Sequence, residues 1–469
     1  MQDITENISS QQRMIDLYKS NYQLIKGSEP QTITMLREKA VEIVRDQGFP
    51  DLTTENWRYT DIDPLLMSPY DFNFSNQSRP FDIEKIFTCD VYDLDTFSVT
   101  LLNGWFVYKN APLTTLRDGT IIGSLAKALE VYPELVSKYL GTIAPMERPG
   151  LTALNTMLFQ DGLFIYVPEE VAVEKPIQII NIVNSENPLM LHPRHLIIQE
   201  PKSKLTLVHC DHSLTHNISF TNSVSEVFLA KESNLDYYKI QNKGHNSAVI
   251  NGSFFSQMRA SNLTSSALTL NGGFTKNIIY SLLNEPACIA THNGLYLVDS
   301  NQHVDNQLEV DHSAPECTSE QLYKGILDDE ATAVFSGKIM VRQDAQKTLA
   351  YQNNKNILLT DDAKANAQPQ LEIYADDVKC SHGATVGQLD PEAMFYLRSR
   401  GLNERSARQM LMYAFAAEVV RRISIQPLRE RIDHMVEKRL KGELSICDQC
   451  VLHCNTKEPT VFNIDVSKL

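Results

Sequence analysis

Between about residues 162 and 378 the chain writes one short β run after another and no long amphipathic helix. Runs at 163–167, 177–183, 195–198, 204–208, 235–240, 277–283, 295–298 and 357–359 are rich in Val, Ile, Leu and Tyr, and Asn, Gly, Ser and Asp punctuate them. Many short strands with turn signals restrict this stretch to a sandwich, a barrel or a β-solenoid. It is long for one sandwich, yet it carries no clean fixed-period repeat, so periodicity leaves the choice open.

Helical patterns flank the β stretch. Residues 6–26 and 31–47 read as helices, the second with Ile33, Leu36, Ala40, Ile43 and Val44 on one face and Gly48 and Pro50 at its end. The polar stretch 51–95, with Pro64, Pro69 and Pro80, reads as an irregular connection. Residues 97–108 read as a strand pair bent at Asn103-Gly104, and 121–140 as a helix broken at Pro133. After the β runs, Asp390-Pro391-Glu392 opens a helix that Gly401 closes. A second helix covers 403–423 with Ala407, Met410, Leu411, Ala414 and Val420 on its apolar stripe. A third starts at Pro427, with Leu428, Ile432, Met435, Val436 and Leu440 on one side until Gly442. The reading is mainly β, with regions at 1–160, 161–388 and 389–469.

With 42% apolar and 22% charged residues, 469 residues suffice for a large soluble core. The start of the chain lacks a signal-peptide pattern, and no apolar run reaches the roughly 18 residues a bilayer span needs. A cytoplasmic location is expected, with the eight cysteines as thiols or ligands rather than disulfides. A net charge of −15 argues against nucleic-acid binding. Residues 391–442 run the other way, with 11 Lys and Arg against 6 Asp and Glu, so a basic docking surface for an acidic partner is expected there.

The most chemical stretch is Asp376-Asp377-Val378-Lys379-Cys380-Ser381-His382-Gly383. In a strand, the two-residue offset of Cys380 and His382 points thiol and imidazole to the same side, and those are ligands for zinc, copper and iron–sulfur sites. Around them stand His312-Ser313-Ala314-Pro315-Glu316-Cys317-Thr318-Ser319, Tyr323-Lys324-Gly325-Ile326-Leu327, Phe335-Ser336-Gly337-Lys338-Ile339, Pro369-Gln370-Leu371-Glu372-Ile373 and Phe395-Tyr396-Leu397-Arg398-Ser399-Arg400-Gly401. That string closely resembles the SufB/SufD family of iron–sulfur cluster assembly proteins. Glu55-Asn56-Trp57-Arg58-Tyr59-Thr60 and Asn103-Gly104-Trp105-Phe106 extend the resemblance toward the N-terminus. SufB-like chains carry an acidic residue directly after the His; Gly383 stands there here, which places the resemblance on the SufD side.

The resemblance implies a right-handed parallel β-helix flanked by N- and C-terminal helical regions, which are placed to cap its ends. It implies a scaffold role, with His382 and Cys380 contributing to a transient iron–sulfur cluster at the contact with a SufB-like subunit. It also implies that a SufC-like ATPase docks on the C-terminal helices. Asp376 or Asp377 is expected to orient His382. No phosphate-cradling loop, dinucleotide fingerprint or nucleophile elbow occurs, so this chain is expected to bind no nucleotide and hydrolyse no ATP.

Three other groups have ligand chemistry. Cys447, Cys450, His453 and Cys454 crowd the tail at a spacing that suits zinc or a cluster, a redox-labile thiol group being the alternative. His209, Cys210, His212 and His216 have the right types, but their spacing spans a strand and a turn. His303, Asp305 and His312 suit an iron-entry role less well than hydrogen bonding across coils. Two other functions compete. A β-helix polysaccharide lyase or hydrolase would need carboxylates converging in a groove, whereas Asp328-Asp329 and Asp361-Asp362 read as turns. The other is a purely structural partner of SufB.

Overall fold

The short runs become the coils of a parallel β-solenoid in a computed structural model that describes residues 9–27, 29–75, 91, 94–108, 110–214 and 217–442. One sheet stacks Ile177–Val183, Lys204–Ser213, Asn234–Asn242, Asn262–Asn271, Ile289–Val298, Thr318–Leu327, Thr348–Leu358 and Val378–Gly387. The other stacks Leu163–Val167, Arg194–Gln199, Ser219–Leu229, Ser247–Gln257, Phe274–Leu283, His303–His312, Thr332–Val341 and Lys364–Ile373. The chain alternates between sheets and climbs one coil per pair of strands, about eight turns in all.

Both faces of each sheet are covered, which is why the runs look continuously apolar rather than alternating. In Asn234–Asn242, Leu235 and Tyr237 point between the sheets while Tyr238 and Ile240 meet the C-terminal helices outside. Coil corners repeat as well. Lys202, Glu232, Ala260, Ala287, Glu316 and Lys347 all take a left-handed conformation. Directly after them Ser203, Ser233, Ser261, Cys288, Cys317 and Thr348 form one fully buried column. Two of the eight cysteines therefore occupy places that serine and threonine fill on other coils.

The flanking helices lie along the solenoid. Helices Ser10–Ser20, Gln31–Gln47 and Thr152–Leu158 pack on the outer face of the second sheet through Met190, Phe220, Ala248 and Ile250. Glu226 anchors this side from full burial: it accepts from Arg194 and from the backbone amides of Gly141, Ile143 and Ala144. Helices Glu404–Val420 and Gln426–Lys441 cover the outer face of the first sheet. Leu428, Ile432, Met435, Val436 and Leu440 are buried there, and burying each such side chain contributes roughly 1.5–3 kcal/mol. Arg422 pairs with Glu320 at 2.6 Å and Arg439 with Asp299 at 2.8 Å, so part of the basic surplus ties the helices to the body.

Several expectations change. The C-terminal helices lie on a flank, because their apolar stripe matches a sheet face rather than a sheet edge, and among the described residues nothing caps the far end of the solenoid. At the near end short antiparallel strands provide the closure. They include the expected hairpin of Phe97–Leu102 and Trp105–Val107, with Asn103 and Gly104 both at positive φ. Ile121–Ser124 is a strand, not the start of a helix, since it pairs with Leu163–Val167; Ser124 then caps the helix Leu125–Val131. In 403–423, Met410 is 50% exposed and Met412 and Ala416 take the buried stripe.

Candidate functional site at the open end of the solenoid

The strands Lys364–Ile373 and Val378–Gly387 close the strand order of their sheets, and among the described residues each is paired on one side only. Two ten-residue edges thus lie side by side, their outward-facing amides and carbonyls without a strand partner among the described residues. Apolar side chains surround them: Tyr374 is 63% exposed, Val386 46% and Ile373 40%. Pro369 lies on one of these edges, where a missing amide interrupts no inner ladder.

In-register pairing places Cys380 beside Ala350 and His382 beside Gln352. Ala350 and Gln352 are buried between the sheets, so the same face of the last strand carries Cys380 and His382 at the mouth of the interior. Cys380 is half-buried against the cluster of Ile339, Val341, Ala345, Ala350 and Ala375. Burial raises its thiol pKa, opposed by a hydrogen bond with the Ala350 backbone. His382 is exposed, and a Cβ added to Gly383 would meet open space. Two donors, one soft and one borderline, so stand together on an edge that a second chain can reach.

Asp376 and Asp377 do not orient His382. Five residues of extended chain put Asp377 roughly 16 Å away. Its amide is instead bonded to Gln346 and its carbonyl to Lys347. Gln352 lies one rung beneath His382, a neighbour that the sequence reading missed. Its signal is spacing: His292, Gln321, Gln352 and His382 fall at matching positions on successive coils.

Three glycines, two of them (Gly325 and Gly337) in the family-like stretches, serve the interior near this end. A Cβ on Gly294 would fall 2.1 Å from the Tyr323 ring, one on Gly325 2.0 Å from Tyr296, and one on Gly337 2.3 Å from Gln352 Nε2. Large side chains lie flat across these positions, which only glycine leaves clear.

The other ligand groups come apart. His209 faces the interior, bonded to Tyr237 Oη at 3.0 Å and Lys239 Nζ at 3.0 Å, and burial with Lys239 beside it lowers its pKa to about 4. Cys210 packs in the outer core on the opposite face, and His216 lies outside the described residues. His303 and Asp305 join Thr60 on the second sheet's outer face, at 3.1 and 2.6 Å. There Lys276 pairs with Asp305 and sits over the Trp57 ring at 4.3 Å. The Glu55-Asn56-Trp57-Arg58-Tyr59-Thr60 stretch is thus a structural clasp. His312 bonds Ser319 at 2.8 Å, between consecutive strands of the two sheets rather than across coils. Cys447, Cys450, His453 and Cys454 lie outside the described residues. Among the described residues no three His, Cys, Asp or Glu side chains are grouped to hold a metal, and no helix is long and apolar enough to cross a membrane.

A groove of about 760 Å³ lies between this end and the C-terminal helices, lined by Leu358, Leu389, Met394, Phe395, Arg398 and Arg408. Phe395 is 75% exposed and Tyr396 57%.

Comparison with known proteins gives a consistent result. Residues 181–415 match the family described as SUF system FeS cluster assembly, SufBD core domain, and residues 8–179 match the SufBD protein N-terminal region. An iron-sulfur cluster assembly SufBD family protein of Synechocystis is 27% identical over 425 residues, covering 89% of this chain and 93% of the relative. The iron-sulfur cluster assembly protein SufD of Escherichia coli is 29% identical over 408 residues, 84% of this chain and 90% of the relative. That of Bacillus subtilis is 27% identical over 439 residues, 89% and 96%.

Proposed function

This chain belongs to the SufBD family of iron–sulfur cluster assembly proteins, and we propose that it works there as a cytoplasmic, non-ATPase scaffold subunit. Its uncapped end docks a SufB-like subunit, and the junction holds a nascent cluster that His382 and Cys380 help to ligate. The observation that carries this reading is the pairing of those two donors with two unpaired edge strands at one end of the molecule. An edge that recruits a partner strand brings the partner's ligands with it. Two ligands per subunit hold iron and sulfide long enough to assemble a cluster and weakly enough to release it.

A SufC-like ATPase docks on the C-terminal helices, where Phe395 and Tyr396 are exposed beside the groove. The two helices that follow, Glu404–Val420 and Gln426–Lys441, are fixed to the solenoid by their buried faces.

The test is the iron and sulfide content of the complex assembled from this chain and its SufB-like and SufC-like partners. His382→Ala is expected to lower both sharply, and Cys380→Ala less, with all subunits still co-eluting. Unchanged iron and sulfide would remove His382 from the site; failure to assemble would make it an ordinary interface residue.

A further inference from the structure

Inside the solenoid, one column of polar side chains leads straight to His382. His292, Gln321 and Gln352 occupy the same register position on three successive strands of the first sheet, and His382 is the fourth member. The first three are at most 3% exposed. His292 Nε2 is bonded to Ser281 Oγ at 2.9 Å, and Gln352 Nε2 donates to Gln321 Oε1 at 2.6 Å. Three atoms of the column have no hydrogen-bond partner among the described residues: His292 Nδ1, Gln321 Nε2 and Gln352 Oε1. The last of them is a carboxamide oxygen at the rung below His382.

A buried carbonyl oxygen left unpaired costs roughly 1–3 kcal/mol, so Gln352 is poorly explained as filler. Its side chain is admitted only because Gly337 lacks a Cβ, which would stand 2.3 Å from Nε2. Adjacent rungs lie roughly 4.8 Å apart, a span that an imidazole N–H and a carboxamide oxygen bridge readily. One Nε2 hydrogen is committed to Gln321, while Oε1 has no partner among the described residues, so Oε1 is the acceptor available to the next rung.

We propose that Gln352 is a positioning residue for His382: its Oε1 accepts one imidazole N–H, fixes the tautomer and leaves the other ring nitrogen unprotonated and directed out of the open end. Gln321 in turn holds the Gln352 carboxamide in the required orientation. This deepens the proposed cluster-site reading and rests on it for its purpose, though not for its geometry. A neutral ring whose second nitrogen is committed within the protein is what a metal-binding histidine needs.

The experiment reads the tautomer of His382 directly, from ring-nitrogen chemical shifts of histidine-labelled full-length chain at one alkaline pH, the signal being assigned by its loss in His382→Ala. The wild type is expected to favour one tautomer about fivefold beyond the ratio of an unrestrained imidazole, the effect of one ordinary hydrogen bond. Gln352→Met keeps the volume, removes the acceptor and should return the ratio to the unrestrained value. Gln352→Glu restores an acceptor and should restore the bias, which a merely space-filling residue would not do. An identical ratio in wild type and Gln352→Met overturns the proposal, as does a wild type with no bias. If Gln352→Met does not fold, Gln321→Leu, which frees the carboxamide to turn, must weaken the bias, and an unchanged ratio there overturns the proposal equally. Cluster yield is measured separately in the His382→Ala complex, so a tautomer bias without an effect on iron and sulfide would sink the cluster reading and leave the positioning role standing.

Discussion

His312 and His192 are buried in the solenoid wall, and burial drives both imidazoles below their usual range, to about 4 and about 3; Asp311 opposes the shift at His312. A folded-state value below the unfolded one means that the unfolded chain binds the proton first. Stability is therefore intact above about pH 6.5 and falls as the pH drops toward 4. For His312 the loss is on the order of 2 kcal/mol at pH 5 relative to pH 7.5. Urea unfolding of wild type and His312→Gln at these two pH values checks this: the variant's pH difference should be smaller by about that amount, and equal differences would refute the assignment. Residues like these mark the limit of the sequence. The two-residue offset of Cys380 and His382 was legible because a strand fixes it locally. Gln352 was not, because what makes it matter is a neighbour 30 residues away on another coil.

Among the elements, those whose stability is local were the most legible. The stripe Leu428, Ile432, Met435, Val436 and Leu440 is the set the structure buries, since a helix presents its face at fixed spacing whatever it packs against. Ile121–Ser124 was missed because only pairing with Leu163–Val167 makes it a strand. The coil repeat escaped for a related reason. The column Ser203, Ser233, Ser261, Cys288, Cys317, Thr348 advances by unequal steps, as corner loops differ in length while the rungs stay in register. Helix Pro391–Ser399 has no buried residue at all, although its neighbours are anchored to the sheet. Phe395 and Tyr396 on it, with Met410 on the next helix, are exposed, and the proposed ATPase docking is tested there. Phe395→Glu combined with Met410→Glu should change stability by under about 0.5 kcal/mol for each exposed site and weaken ATPase capture by tenfold or more. Undiminished capture in a pull-down titration would move the docking surface elsewhere.

On the scale of the whole molecule, one end of the solenoid is closed by antiparallel hairpins, both flanks are covered by helices, and among the described residues the other end presents two open edges. Open edges of this length invite strand pairing, and a monomer with no use for them would be expected to cover them. The last prediction follows from that asymmetry. Strands Lys364–Ile373 and Val378–Gly387 are each paired on one side, whereas Phe274–Leu283 is paired on both. In the isolated chain, then, roughly half the amides of each edge strand lack an inner acceptor and should exchange with solvent rapidly, while those of Phe274–Leu283 should be slow. Adding the SufB-like partner should slow exchange across 364–373 and 378–387 and leave 274–283 unchanged. Hydrogen exchange followed by mass spectrometry resolves these segments. A complex that co-elutes while its edge amides exchange as fast as in the free chain would mean that the partner docks away from His382 and Cys380, and the shared cluster site would go with it.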